Sequence, residues 1–136
     1  MPAGLADALR AAHRAESAAV GPQRRAAFRL TRILLGGAVD AGYPAQLLAD
    51  CLGVTVGTVR GRATPDAWLA LEDLVPFVPA TTLAQWRAAA SLGPPELGPT
   101  GEEHYPAVAV VRALMAVRPP LPAEPGGERS GRRDQA

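Results

Sequence analysis

The sequence has no lysine; all 14 of its fixed side-chain cations are arginine. A GC-rich genome that favours Arg and Ala codons is the plainest source of that bias. Cysteine is nearly absent as well. The single Cys51 excludes an internal disulfide and fits a reducing compartment. Aromatic residues are scarce, two each of Trp, Tyr and Phe, while much of the apolar content is alanine. A thin core of modest stability, made of helix rather than sheet, is therefore expected. No apolar run approaches the length that spans a bilayer. The opening MPAGLADALR lacks the basic start and apolar block of a secretory signal. A cytoplasmic location without membrane contact is expected.

Catalytic constellations are missing too. His13 and His104 are far apart, and neither stands at a metal-ligand spacing from Cys51. Glu102-Glu103-His104 reads as a charged loop before a helix rather than a ligand set. Gly36-Gly37 and Gly126-Gly127 lack the pattern of a phosphate loop. With no paired acid and base, no enzyme, cofactor or metal site is expected.

What is present centres on Ala45–Thr64, AQLLADCLGVTVGTVRGRAT. Pro44 stands where its missing N–H costs nothing, and a helix follows from Ala45 to Leu52. Gly53 suits the left-handed conformation that ends such a helix. Thr55 is a natural N-cap for a second helix from Val56 to about Ala63. Leu48, Leu52, Val54 and Val59 are the apolar positions, and Ala49 is small where two helices must approach.

These twenty residues, with L-A-x-x-L-G-V-T-x-x-T-V-R, resemble the helix-turn-helix of bacterial and phage DNA-binding proteins. The resemblance implies that the second helix enters the major groove. It exposes Thr55, Val56, Gly57, Arg60, Gly61 and Thr64. Arg60 is then the candidate reader of a guanine edge, Thr55 and Thr58 phosphate contacts, and Val56 a partner for a thymine methyl. Arg62 departs from the family, which has an apolar residue there. Either the helix ends early, or Arg62 lies along the surface and reaches a phosphate with its tip.

The charge distribution agrees with such a partner. Residues 1–64 hold eight Arg against four acidic groups, and residues 65–136 hold six against nine. Leu5 to about Ala19 reads as an amphipathic helix, with Asp7, Arg10, Arg14 and Glu16 among its polar positions. After Gly21-Pro22, a stronger helix runs from about Gln23 to Asp40, with Ala27, Leu30, Leu34 and Ala38 on one face. Arg25, Arg29 and Arg32 line another face, either as a phosphate-gripping edge or as a plain solvated surface. Gly36-Gly37 weakens this helix or lets a neighbour pack closely.

Beyond Pro65, a helix is expected from Asp66 to about Val75, with Trp68, Leu71 and Val75 on one face. Another is expected from Ala80 to Leu92, with Leu83, Trp86 and Ala90 inward. Residues 78–86 faintly echo residues 54–62, but Asp73 and Pro76 break the register of a second helix-turn-helix over 66–92. Gly93 to Gly101 is a loop by composition. Tyr105 to Val117, apolar but for Arg112, is a buried helix or one side of a homodimer contact; Val108–Val111 also suits a strand. From Arg118 onward, Pro, Gly, Glu and Arg predict a disordered tail.

The expected architecture is all-α: a single helical domain over 1–117, a bundle of about six helices containing the helix-turn-helix, then the tail at 118–136. The expected function is sequence-specific binding of duplex DNA, as a transcriptional regulator or phage-type repressor. The alternative is a helical protein-interaction adaptor that docks its partner on the 105–117 helix.

Overall fold

In the computed structural model, which describes residues 3–116, six α-helices form the body of the molecule and three short strands close one side. The helices are α1 (Ala3–Ala18), α2 (Gly21–Asp40), α3 (Ala45–Leu52), α4 (Val56–Arg62), α5 (Ala80–Ala88) and α6 (Ala107–Ala116). The strands are β1 (Trp68–Ala70), β2 (Glu96–Leu97) and β3 (Glu103–Pro106). They pair antiparallel in the order β1-β3-β2, with Leu69 opposite Tyr105 and Glu96 opposite His104.

Helix α2 is the axis of the bundle. Ala27, Leu30, Leu34 and Ala38 recur at helical spacing and are all buried. Leu30, Leu34 and Ala38 meet Leu5, Leu9 and Ala12 of α1 and Val110, Val111 and Leu114 of α6 in one continuous core. Thr31, also buried, satisfies its hydroxyl by donating to the carbonyl of Ala27 at 3.0 Å.

The two glycines inside α2 allow close packing on two sides. A Cβ at Gly36 would overlap the backbone carbonyl of Thr64, and a Cβ at Gly37 would lie 2.7 Å from the carbonyl oxygen of Ala107. One glycine admits the chain leaving α4, and the other admits the first turn of α6. The Thr64 N–H completes the first crossing by donating to the Arg32 carbonyl at 3.2 Å.

Three expectations for the second half are corrected. Residues 66–75 are not an α-helix. Asp66 turns the chain with φ +53°, its N–H bonded to Asp40 Oδ2 at 2.8 Å; β1 and a 3-10 turn over Leu71–Leu74 follow. Leu71 and Leu74 are buried, whereas Trp68 and Val75 are exposed. The three-residue spacing read as an α-helical face is satisfied by a strand and a single tight turn. No α-helix precedes α5 in this half, so residues 66–92 do not form a second helix-turn-helix.

Helix α5 ends at Ala88, with Leu83 and Trp86 buried, but Ala90 is exposed with φ +52°. The Ser91 N–H reaches back to the Trp86 carbonyl, closing a Schellman-type end that usually takes glycine. Finally, Tyr105 and Pro106 belong to β3, and α6 begins at Ala107. Val108–Val111 are helical. The apolar face of α6 turns into the core, burying Val110, Val111 and Leu114. Val117 and the expected tail lie outside the described residues. Among the described residues, no helix is long and apolar enough to cross a membrane.

Candidate nucleic-acid interface

The helix pair forms as its local sequence dictates. Gly53 ends α3 in the left-handed conformation, φ 69° and ψ 33°, and the Val54 N–H returns to the Ala49 carbonyl at 3.0 Å. The Arg10 guanidinium donates to the carbonyl of Cys51, placing a cation on the carbonyl end of α3. Thr55 caps α4: its hydroxyl oxygen accepts from the Thr58 N–H at 3.1 Å. The Thr55 and Thr58 hydroxyls also bond each other at 2.9 Å. Leu48, Ala49 and Val59 are fully buried, so both helices are anchored to the core.

Thr55, Gly57, Thr58, Arg60 and Gly61 form the exposed surface of α4, with Val56 half-buried beside them. Neither glycine is demanded by the fold. A Cβ at Gly57 would find only the Thr55 hydroxyl, at 3.8 Å, and a Cβ at Gly61 would meet nothing within 4 Å. The outer surface of α4 is therefore low in relief, with Arg60 as its one long exposed side chain. Arg60 borders a shallow groove that it shares with Tyr43, Val39 and Asp40. Asp40 is the acidic group in that lining, and its carboxylate is already engaged by the Asp66 N–H.

Arg62 does not reach outward. Helix α4 ends at this residue, and its side chain folds inward, only 17% exposed. The guanidinium pairs with Glu16 Oε2 at 2.9 Å and lies 4.1 Å from the centroid of the Phe28 ring. Its Nε is buried without a partner. The expectation that its tip contacts phosphate is corrected: a buried carboxylate on α1 competes for the same charge from inside. Glu16, expected on a polar face, is that carboxylate, with its side chain 11% exposed. Arg62 thus anchors the end of α4 to α1 and α2 by pairing and stacking.

Arg25, Arg29 and Arg32 are exposed on α2 and line one groove of about 430 Å³, together with Phe28, Ile33 and Thr64. Among the described residues none of the three makes an ion pair; the ion pairs there are Arg62–Glu16 and Arg87–Glu103. Residues 63–65 separate this groove from the one beside Arg60, so both cationic surfaces flank the exit of α4. Phe28 and Glu16 were not singled out by the sequence reading. The available signal for Phe28 was an aromatic residue displaced from the Leu30–Leu34 stripe and set between Arg25 and Arg29.

The other reactive groups lie elsewhere. Burial pushes the Cys51 thiol up, against the lowering effect of Arg10, which disfavours the nucleophilic thiolate. Glu103 Oε1 accepts from Arg87 Nε at 3.1 Å and from the Tyr105 hydroxyl at 3.2 Å, bracing β3 against α5. No protein-family model matches the chain, and no curated protein or solved structure matches it.

Proposed function

We propose that the chain binds duplex DNA through α3 and α4, as a transcriptional regulator or phage-type repressor. The observation that carries this reading is the placement of charge around α4. Arg60 stands exposed on its low outer surface, and three arginines without acidic partners line the adjacent groove. In this reading α4 lies in the major groove. Arg60 supplies direct readout, Thr55, Thr58 and Thr64 contact the sugar-phosphate edge, and Arg25, Arg29 and Arg32 follow the flanking phosphates. Gly57 and Gly61 permit close approach of the helix to the groove floor.

The test is a titration into random duplex DNA at two salt concentrations. A binder that uses these arginines weakens steeply as salt rises. Absence of binding at both concentrations rejects the reading and favours the adaptor alternative. In a binding-site selection, Arg60→Ala relaxes preference at one base pair by roughly 1–3 kcal/mol. Unchanged selectivity removes Arg60 from the reader's role.

A further inference from the structure

The groove over α2 is more than a row of cations. One of its walls is the Phe28 ring, 42% exposed although it sits beside the core. A phosphate contact needs no aromatic wall, so the ring is the feature of this groove that the DNA reading leaves unused. The ring is also held. Arg62 stacks on it at 4.1 Å, and Glu16 fixes Arg62 from behind. Arg32 approaches the same ring at 6.0 Å. The groove therefore combines a preorganised π surface, half-buried Ile33, Thr64 and three arginines without acidic partners.

We propose that this groove binds a small aromatic anion, its phosphate on Arg25, Arg29 and Arg32 and its ring against Phe28, and that the occupant competes with DNA for those arginines. The competition rests on the DNA-binding reading; the site itself does not. Flat ring systems stack on phenylalanine without regard to their identity, while the arginine fork selects the oxyanion. A nucleoside monophosphate is the simplest natural class with both parts.

The experiment is calorimetric titration of the full chain, without DNA, using adenosine 5′-monophosphate and phenyl phosphate as aromatic probes. Inorganic phosphate and ribose 5-phosphate serve as ring-free controls. The expected result is at least tenfold tighter binding of an aromatic probe than of either control. Phe28→Leu, which keeps an apolar wall beneath Arg62, abolishes that preference; Arg29→Ala weakens every phosphate. Thermal melts of both variants establish that they fold. Equal affinity for ring-bearing and ring-free phosphates, or no binding of either aromatic probe, overturns the site.

Duplex binding is measured in parallel, with and without the tighter aromatic probe. Probe binding without DNA binding keeps the site and rejects both the competition and the DNA reading. DNA binding without probe binding does the reverse for the site. If both bind and the probe leaves duplex affinity unchanged, the competition is rejected while the site stands.

Discussion

Residues up to Thr64 and residues from Pro65 onward are held together differently. The first part is helix on helix, with Gly36 beneath Thr64, Thr55 over α4, and Gly53 at the corner. The second part is closed by strand pairing, β1 with β3, and by the Arg87–Glu103 bridge. Charge divides the same way. In the first part Arg25, Arg29, Arg32 and Arg60 stand exposed, whereas in the second Glu72 and Asp73 are the exposed charges of the 3-10 turn. The first part thus offers a cationic surface on a helical scaffold. Among the described residues, the second covers that scaffold's core and carries no comparable row of arginines.

The largest expected effect lies within the first part, where the chain leaving α4 crosses α2. Gly36→Ala forces a methyl group into the Thr64 carbonyl, which is backbone and cannot rotate away. Overpacking of this kind should cost about 3 kcal/mol or more. Circular dichroism melts should show the variant largely unfolded at 37 °C. A melting temperature within a degree or two of wild type would mean that the exit of α4 slides freely over α2.

Next in size is the Glu16–Arg62 pair, the link between α1 and α4. Glu16→Ala leaves a mostly buried guanidinium on Phe28 without its counter-ion. The loss should be about 3 kcal/mol, at the low end for buried pairs because Arg62 retains some access to water. Denaturant unfolding reads this directly. The double variant Glu16→Ala with Arg62→Met should recover much of the loss, since it removes the uncompensated charge and leaves an apolar side chain against Phe28. If the double variant is no better than the single one, pairing is not what anchors α4.

How far the sequence could be read follows from how far along the chain each contact reaches. Helix α2, the corner at Gly53 and the cap at Thr55 were legible because each depends on residues within a turn or two. The face of Arg25, Arg29 and Arg32 was legible for that reason as well. Trp68–Ala70 was misread because its strand exists only by pairing with His104–Pro106, and no local pattern announces a partner that far along the chain. Leu71 and Leu74 fit a helix and a 3-10 turn equally well. The inward turn of Arg62 was illegible in the same way, since it needs a carboxylate from α1. Gly36-Gly37 showed that something came close, though not what.

A smaller effect falls in the second part. Ala90 is left-handed at the end of α5, a conformation in which its Cβ is strained. Ala90→Gly should stabilise the chain by about 1 kcal/mol, less any entropy lost to the more flexible unfolded state. A rise of a few degrees in melting temperature is the expected reading. No rise would show that the Schellman-type end of α5 is not under strain.

The smallest effect separates scaffold from function. Gly61 lies on the outer surface of α4, and a methyl group there meets nothing within 4 Å. Alanine favours helix over glycine by up to about 1 kcal/mol in an exposed interior position, and less this close to the end of α4. Gly61→Ala should therefore melt slightly higher than wild type. If α4 enters a DNA groove, the same methyl group stands between helix and groove floor, and duplex affinity should fall while stability rises. Opposite signs in the two measurements cannot come from a folding defect. If affinity is unchanged in the stabilised variant, the low relief of α4 is not a contact surface, and the cationic edge of α2 would have to act without it.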